Sequence, residues 1–185
     1  MHADPLAVSV AEVSREVELR RHTDADEDVL TAEGVTAALE IGARLRGGYH
    51  LAASTGAQRA TQTLACFLAA FGQRVPGGVV VEPQLRSQLE DRWRAAYQKA
   101  GSGALEALRE ADPELVAQDS ERLGGALRRI LDRLPDGGTA LVVGHSPTNE
   151  AAVLGLTGKI VAPLAKGAGV RVIAGDDSYR VEPFE

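Results

Sequence analysis

Three short apolar runs, each ending in chemically capable side chains and each followed by a helix-patterned segment, constrain this chain more than any other feature. In the first, Val17 and Leu19 alternate with polar neighbours up to Arg20, the period of a strand. The second runs from Tyr49 to Ala53 and the third from Thr139 to Val143. Thr31 can cap the helix after the first run, with Glu33 favourable at its start and Val35, Ala38, Leu39, Gly42 and Leu45 on one face. Helices are also predicted from about Ala57 to Phe71 and from about Pro147 to Leu156. Val79-Val80-Val81, bounded by Gly78 and Pro83, reads as another buried strand. Strands alternating with helices predict an α/β fold: a three-layer sandwich with a mainly parallel central sheet and helices on both faces.

The remainder is less patterned. Residues 84–112 are polar and irregular, with Gly101-Ser102-Gly103 as the expected mobile point, and residues 88–112 are a candidate lid. A long amphipathic helix is predicted over 113–134, stopped by Pro135-Asp136-Gly137-Gly138. Two last strands, near 170–174 and 179–181, flank the turn Gly175-Asp176-Asp177. Residues 1–14 read as a loosely attached leader and 15–185 as a single domain.

Apolar residues make up 44% and charged residues 25% of the chain, a globular balance. The net charge of −6 supplies no broad basic field for nucleic acid or an anionic membrane. No apolar run approaches the roughly 18 residues of a membrane span, and no signal peptide is evident; a cytoplasmic protein is expected. The single Cys66 lies in an apolar helical stretch and reads as a buried, inert thiol. Metal-ligand spacing is missing, so no metal site is expected.

In sheets of this kind ligands bind beyond the carboxyl ends of the strands. Arg21-His22-Thr23 follows the first strand, Ser54-Thr55-Gly56-Ala57-Gln58-Arg59 the second, and Gly144-His145-Ser146-Pro147 the third. Two arginines and two histidines should therefore meet at one sheet edge. Arginine offers a planar fork of donors to phosphate oxygens. Imidazole is a nucleophile when neutral and a charge-stabilising donor when protonated. A neutral and a protonated histidine beside two arginines would make a cradle for a phosphoryl group.

With these residues in view, the chain resembles the compact first branch of the phosphoglycerate mutase-like histidine phosphatase superfamily. The resemblance rests on Arg21-His22, on Leu30-Thr31-Ala32-Glu33-Gly34, on Arg59-Ala60-Thr61-Gln62-Thr63 and on Val142-Val143-Gly144-His145, in that order, and spans about residues 16 to 183. It implies that His22 is the nucleophile and carries a transient phosphoryl group. Arg21 and Arg59, with Thr23, would contact the phosphoryl oxygens, and His145 would stabilise the transferring charge. Water would then release phosphate, with no cofactor. The implied partner is a phosphorylated small molecule or a phosphohistidine protein, and a homodimer is compatible with either.

Three positions depart from the family pattern. Thr23 stands where glycine is usual. Ser87 stands where many members carry the glutamate that protonates the leaving oxygen, so Glu90 and Asp91 become the candidate donors, with Asp24 and Asp26 as further carboxylates. General acid help is typically worth about 10²–10⁴-fold. Finally, Gly144-His145-Ser146-Pro147 and Pro163-Leu164-Ala165-Lys166-Gly167 are similar to the short bacterial phosphohistidine phosphatases. A phosphatase, with protein phosphohistidine as a candidate substrate, is the leading expectation. A small-metabolite phosphatase and a catalytically weak phosphate-binding module are the alternatives. Ser54, Thr55 and Trp93 are open between site and structural roles, whereas Lys166 and the acids from Asp24 to Asp28 read as solvated surface.

Overall fold

The computed structural model describes residues 14–176 and 178–184. All of the expected leader except residue 14 lies outside the described residues. The first strand, β1 (Arg15–Arg21), leads through a two-strand hairpin, β2 (Ala25–Asp26) and β3 (Val29–Leu30), into α1 (Ala32–Arg44). β4 (Tyr49–Ser54), α2 (Gln58–Phe71) and β5 (Val79–Val81) follow. After α3 (Glu90–Ala100), α4 (Leu105–Ala111) and α5 (Pro113–Asp132) come β6 (Thr139–Gly144), α6 (Thr148–Thr157), β7 (Gly169–Ala174) and β8 (Tyr179–Phe184).

The six-stranded sheet has the order β5-β4-β6-β1-β7-β8. The first four strands pair in parallel, while β7 is antiparallel to β1 and β8 to β7. The expected mainly parallel sheet is therefore present, with an antiparallel edge built from the last two strands. Alternation divides the core. On one face Val17, Leu19, Ala140 and Val142 pack with α5 and α6 residues such as Leu123, Leu127 and Val153. On the other, Leu141 and Val143 pack with α1 and α2 through Ala38, Leu64 and Phe67. The second face also buries Glu18 and Arg20, which form an ion pair at 2.7 Å. Tyr49 donates its hydroxyl to Glu18 at 2.7 Å, and Arg20 lies 4.4 Å from the Phe184 ring centre, so each buried charge has a partner.

Residues 84–112 are more ordered than the sequence suggests. They include α3 and α4, whose buried apolar residues are few: Trp93 and Ala96 in one helix, Leu105 and Leu108 in the other. So thin a stripe among charged side chains gives little periodic signal, although Gly101 does end α3 in the left-handed region at φ 64°. Cys66, expected to be buried, is only partly so. Among the described residues no helix is long and apolar enough to cross a membrane.

Candidate active site

The parallel arrangement brings the carboxyl ends of β1, β4 and β6 together. Arg21 pairs in register with Gly144, and the His22 amide donates to the Gly144 carbonyl at 3.0 Å. His22 and His145 consequently sit with ring centres 5.3 Å apart. Asn149, on α6, donates from its side-chain amide to the Arg20 carbonyl at 3.0 Å. Its oxygen lies where a Cβ at position 144 would stand, which is why glycine precedes His145.

His22 has a defined tautomer. Its Nδ1 lies 2.7 Å from the Thr23 carbonyl, which can only accept, so the proton is on Nδ1 and the lone pair on Nε2. Desolvation by burial lowers its pKa to about 4 against the pull of the Thr23 carbonyl, and the charges of Arg59, Arg21 and Lys166 add to the lowering. The ring is neutral near pH 7. His145 is lowered to about 3, chiefly by burial and then by the Arg59 charge. Burial and the neighbouring Arg59 charge thus disfavour a proton on either ring. The Nε2 of His145 shares a hydrogen bond with Thr55 Oγ1 at 2.8 Å, and Nδ1 has no partner among the described residues.

The two arginines are held from behind. Arg21 Nη1 donates to the Leu164 carbonyl at 2.8 Å, and its buried Nε is unpartnered among the described residues. Arg59 Nη1 donates to Asp28 Oδ1 at 3.0 Å. Asp28 also accepts from the amides of Gln58 and Arg59. It thereby caps α2, whose N-cap residue, Ala57, offers no capping group. Burial works against its charge, yet those amides and Arg59 carry the Asp28 carboxyl below its ordinary value. What reads in the sequence as a solvated acid thus positions Arg59. A helix start without its own cap was the signal that one must come from elsewhere.

Thr23, expected as a phosphate contact, is 1% exposed, and its amide and hydroxyl both engage Thr63 Oγ1, at 3.2 and 3.3 Å. Its carbonyl orients His22. Lys166 forms an ion pair with Asp24 at the rim.

A cleft of about 260 Å³ opens beside His145. Arg59, His145 and Ser146 line one side, and Arg86, Ser87, Glu90, Trp93, Arg94 and Tyr97 the other. Trp93 serves both proposed ends, since it lines the cleft while its Nε1 donates to buried Asp119 at 2.7 Å. The two candidate proton donors separate. Glu90 reaches the cleft but accepts from Arg86 Nε at 2.6 Å. Asp91 is directed to solvent, 96% exposed and paired with Arg94. A helix turn places neighbouring residues on different faces, so both could not point inward. A carboxyl the sequence did not single out, Glu150, lies fully buried on α6 behind Ser146. The polar run Thr148-Asn149-Glu150 at the head of an otherwise apolar helix was its visible trace. Among the described residues no cluster of three or more His, Cys, Asp or Glu is placed to hold a metal.

The arrangement can place a neutral nucleophilic nitrogen beside two guanidinium groups and a second imidazole. Comparison with known proteins gives a matching family and similar folds. The family model of the Histidine phosphatase superfamily (branch 1) matches residues 10–167. The fold is similar to phosphoglycerate mutase from Bacillus anthracis str. Sterne, with a TM-score of 0.70 at 20% identity, covering 94% of this chain and 93% of that one. It is also similar to YhfR of Bacillus stearothermophilus, with a TM-score of 0.69 at 17% identity over 91% and 96% of the two chains. For the protein histidine phosphatase SixA complexed with tungstate the TM-score is 0.57 at 18% identity, over 90% and 94%. No curated protein matches in sequence.

Proposed function

The chain belongs to the histidine phosphatase superfamily, branch 1, and on that premise we propose that it hydrolyses phosphoric monoesters or phosphoramidates through a phosphoryl group carried on His22. The observation that carries this is the state of His22: Nδ1 donates to the Thr23 carbonyl, leaving the lone pair on Nε2 of a ring kept neutral at about pKa 4. A nitrogen nucleophile needs both.

In the first half-reaction a bond forms between His22 Nε2 and phosphorus while the bond to the leaving group breaks. Arg21 and Arg59 hold the phosphoryl oxygens. His145, neutral in the free enzyme, gains a proton when the bound anion offsets the burial and the Arg59 charge that keep it neutral, and then stabilises the transferring group. Water attacks the phosphohistidine in the second half-reaction, and His22 returns neutral.

Protein phosphohistidine suits Ser87, because a phosphoramidate on imidazole breaks with little proton donation. A small-metabolite substrate is the second reading, favoured by Glu90 on the wall of a cleft of about 260 Å³. The test is phosphate release from an aryl phosphate and from a phosphohistidine peptide, without added metal, by the wild type and by His22→Ala. Release by the wild type alone is the expected result, and the ratio of the two rates separates the substrate classes. Phosphate binding with no turnover of either would leave a phosphate-binding module.

A further inference from the structure

Resting on the phosphatase reading, we propose that Glu150 is the proton donor of this site and acts through the hydroxyl of Ser146. Glu150 stands in the first turn of α6 and is 0% exposed. Its Oε1 lies 2.6 Å from Ser146 Oγ and 2.7 Å from the Leu164 amide nitrogen. Its Oε2 has no partner, and it forms no ion pair, among the described residues. Burying an ionised carboxylate without a counter-ion costs several kcal/mol, which favours the protonated carboxyl. Burial raises its pKa accordingly, while Ser146, the Leu164 amide and the Arg21 charge pull the other way. Those three groups support the carboxylate once the proton has left, as a donor that must also be recharged requires.

Ser146 connects this buried acid to the chemistry. It follows His145 directly and lines the same cleft as His145 and Arg59. The 2.6 Å contact has two senses. With Glu150 protonated, the acid donates to Ser146 Oγ and the serine proton is free to point into the cleft. With Glu150 ionised, Ser146 donates to it. Passing from the first state to the second delivers one proton. As the His22 nitrogen–phosphorus bond forms and the phosphorus–oxygen bond breaks, the serine proton moves to the leaving oxygen and the Glu150 proton moves to the serine. When water attacks the phosphohistidine, its proton returns by the same two steps and Glu150 is recharged.

The other carboxyls near the cleft lack such a link. Glu90 is engaged by Arg86 Nε, Asp91 faces solvent, and Ser87 Oγ accepts from the Leu89 amide with no carboxyl behind it. A relay from Glu150 extends the substrate class to alkyl monoesters, whose poor leaving oxygen needs a proton.

Leaving-group dependence tests this. Rates for an alkyl phosphate, a dinitrophenyl phosphate and a phosphohistidine peptide are measured for the wild type, Glu150→Gln and Ser146→Ala. Glutamine keeps an acceptor for Ser146 and Leu164 but has no acidic proton. Both variants should lose about 10²–10⁴-fold on the alkyl ester and only a few-fold, roughly, on the dinitrophenyl ester, whose leaving group needs no acid. An equal loss on all substrates would mean a structural role and overturn the relay. So would unchanged rates, or a leaving-group-dependent loss in Glu90→Gln instead. If Glu150→Gln fails to fold, Ser146→Ala decides alone. A wild type that hydrolyses none of the three defeats the phosphatase reading and the relay together; one active on the dinitrophenyl ester or the peptide but inert toward the alkyl ester defeats the relay alone.

Discussion

The two sides of the cleft are built on opposite physical terms. The strand-end side and the groups behind it are held mainly by backbone contacts: His22 by the Thr23 carbonyl and Arg21 by the Leu164 carbonyl, with Arg59, which lines the cleft, paired to the partly exposed Asp28. The α3 side presents mostly exposed charge, with Arg86 paired to Glu90 and Arg94 to Asp91 in contacts that solvent reaches, while Ser87 and Trp93 are buried. Buried contacts fix orientation and shift protonation, whereas exposed ion pairs are worth about 0–1 kcal/mol and readily exchange for water. On the function proposed above, the first side would carry the chemistry and the second would accommodate the leaving group.

The largest difference is expected from substituting one arginine on each side. Arg59→Ala should lower kcat/KM for an aryl phosphate by about 10²–10³-fold, the usual loss for one preorganised donor, while Arg94→Ala should change it only a few-fold, roughly. Steady-state kinetics on both variants checks this. Equal losses would mean that the α3 side takes part in phosphoryl transfer.

Protonation sharpens the contrast next. Because burial first, with neighbouring charges, lowers His22 to about 4, the acid limb of kcat/KM for the free enzyme should fall near pH 4 and not near the ordinary histidine value of about 6.5. The same shifts bear on stability. Between about pH 6.5 and 4 the unfolded chain binds protons that folded His22 and His145 refuse. These two residues therefore make stability fall as pH drops through that window, and their effect levels off below the His145 value of about 3. Glu150, whose pKa is raised by burial, acts in the opposite sense as pH rises above its unfolded value. A pH–rate profile together with denaturant midpoints measures both effects. An acid limb near 6.5 would mean that the cradle is solvated.

The smallest effect is expected at Asp91. Its side chain is 96% exposed, so Asp91→Ala should leave turnover unchanged and stability within about 0.5 kcal/mol. A large loss on any phosphate ester would return Asp91 to the list of proton donors.

Much of this architecture was legible in the residues. The apolar alternation around Val17 and Leu19, the run Ala140-Leu141-Val142-Val143 and the cap at Thr31 mark elements that the structure contains. The placement of Arg21, His22 and His145 at strand ends, and of Arg59 in the first turn of the helix after β4, follows from those elements and the parallel order of the sheet. The α3–α4 segment was not legible, because Trp93, Ala96, Leu105 and Leu108 are too few to imprint a helical period. Nor could Thr23 be assigned: a hydroxyl beside a nucleophile looks like a ligand until Thr63, 40 residues away, is seen to occupy it.

The alternation of strands and helices, and with it the set of reactive side chains that reach one edge, is readable in the residues alone. Both follow from local periodicity and chain order, which are written residue by residue. The tertiary structure decided which nitrogen of His22 is free, that both histidines are neutral, that Asp28 holds Arg59, and that Glu150 lies buried behind Ser146. Those properties depend on desolvation and on partners brought from distant segments, and neither exists until the chain has packed.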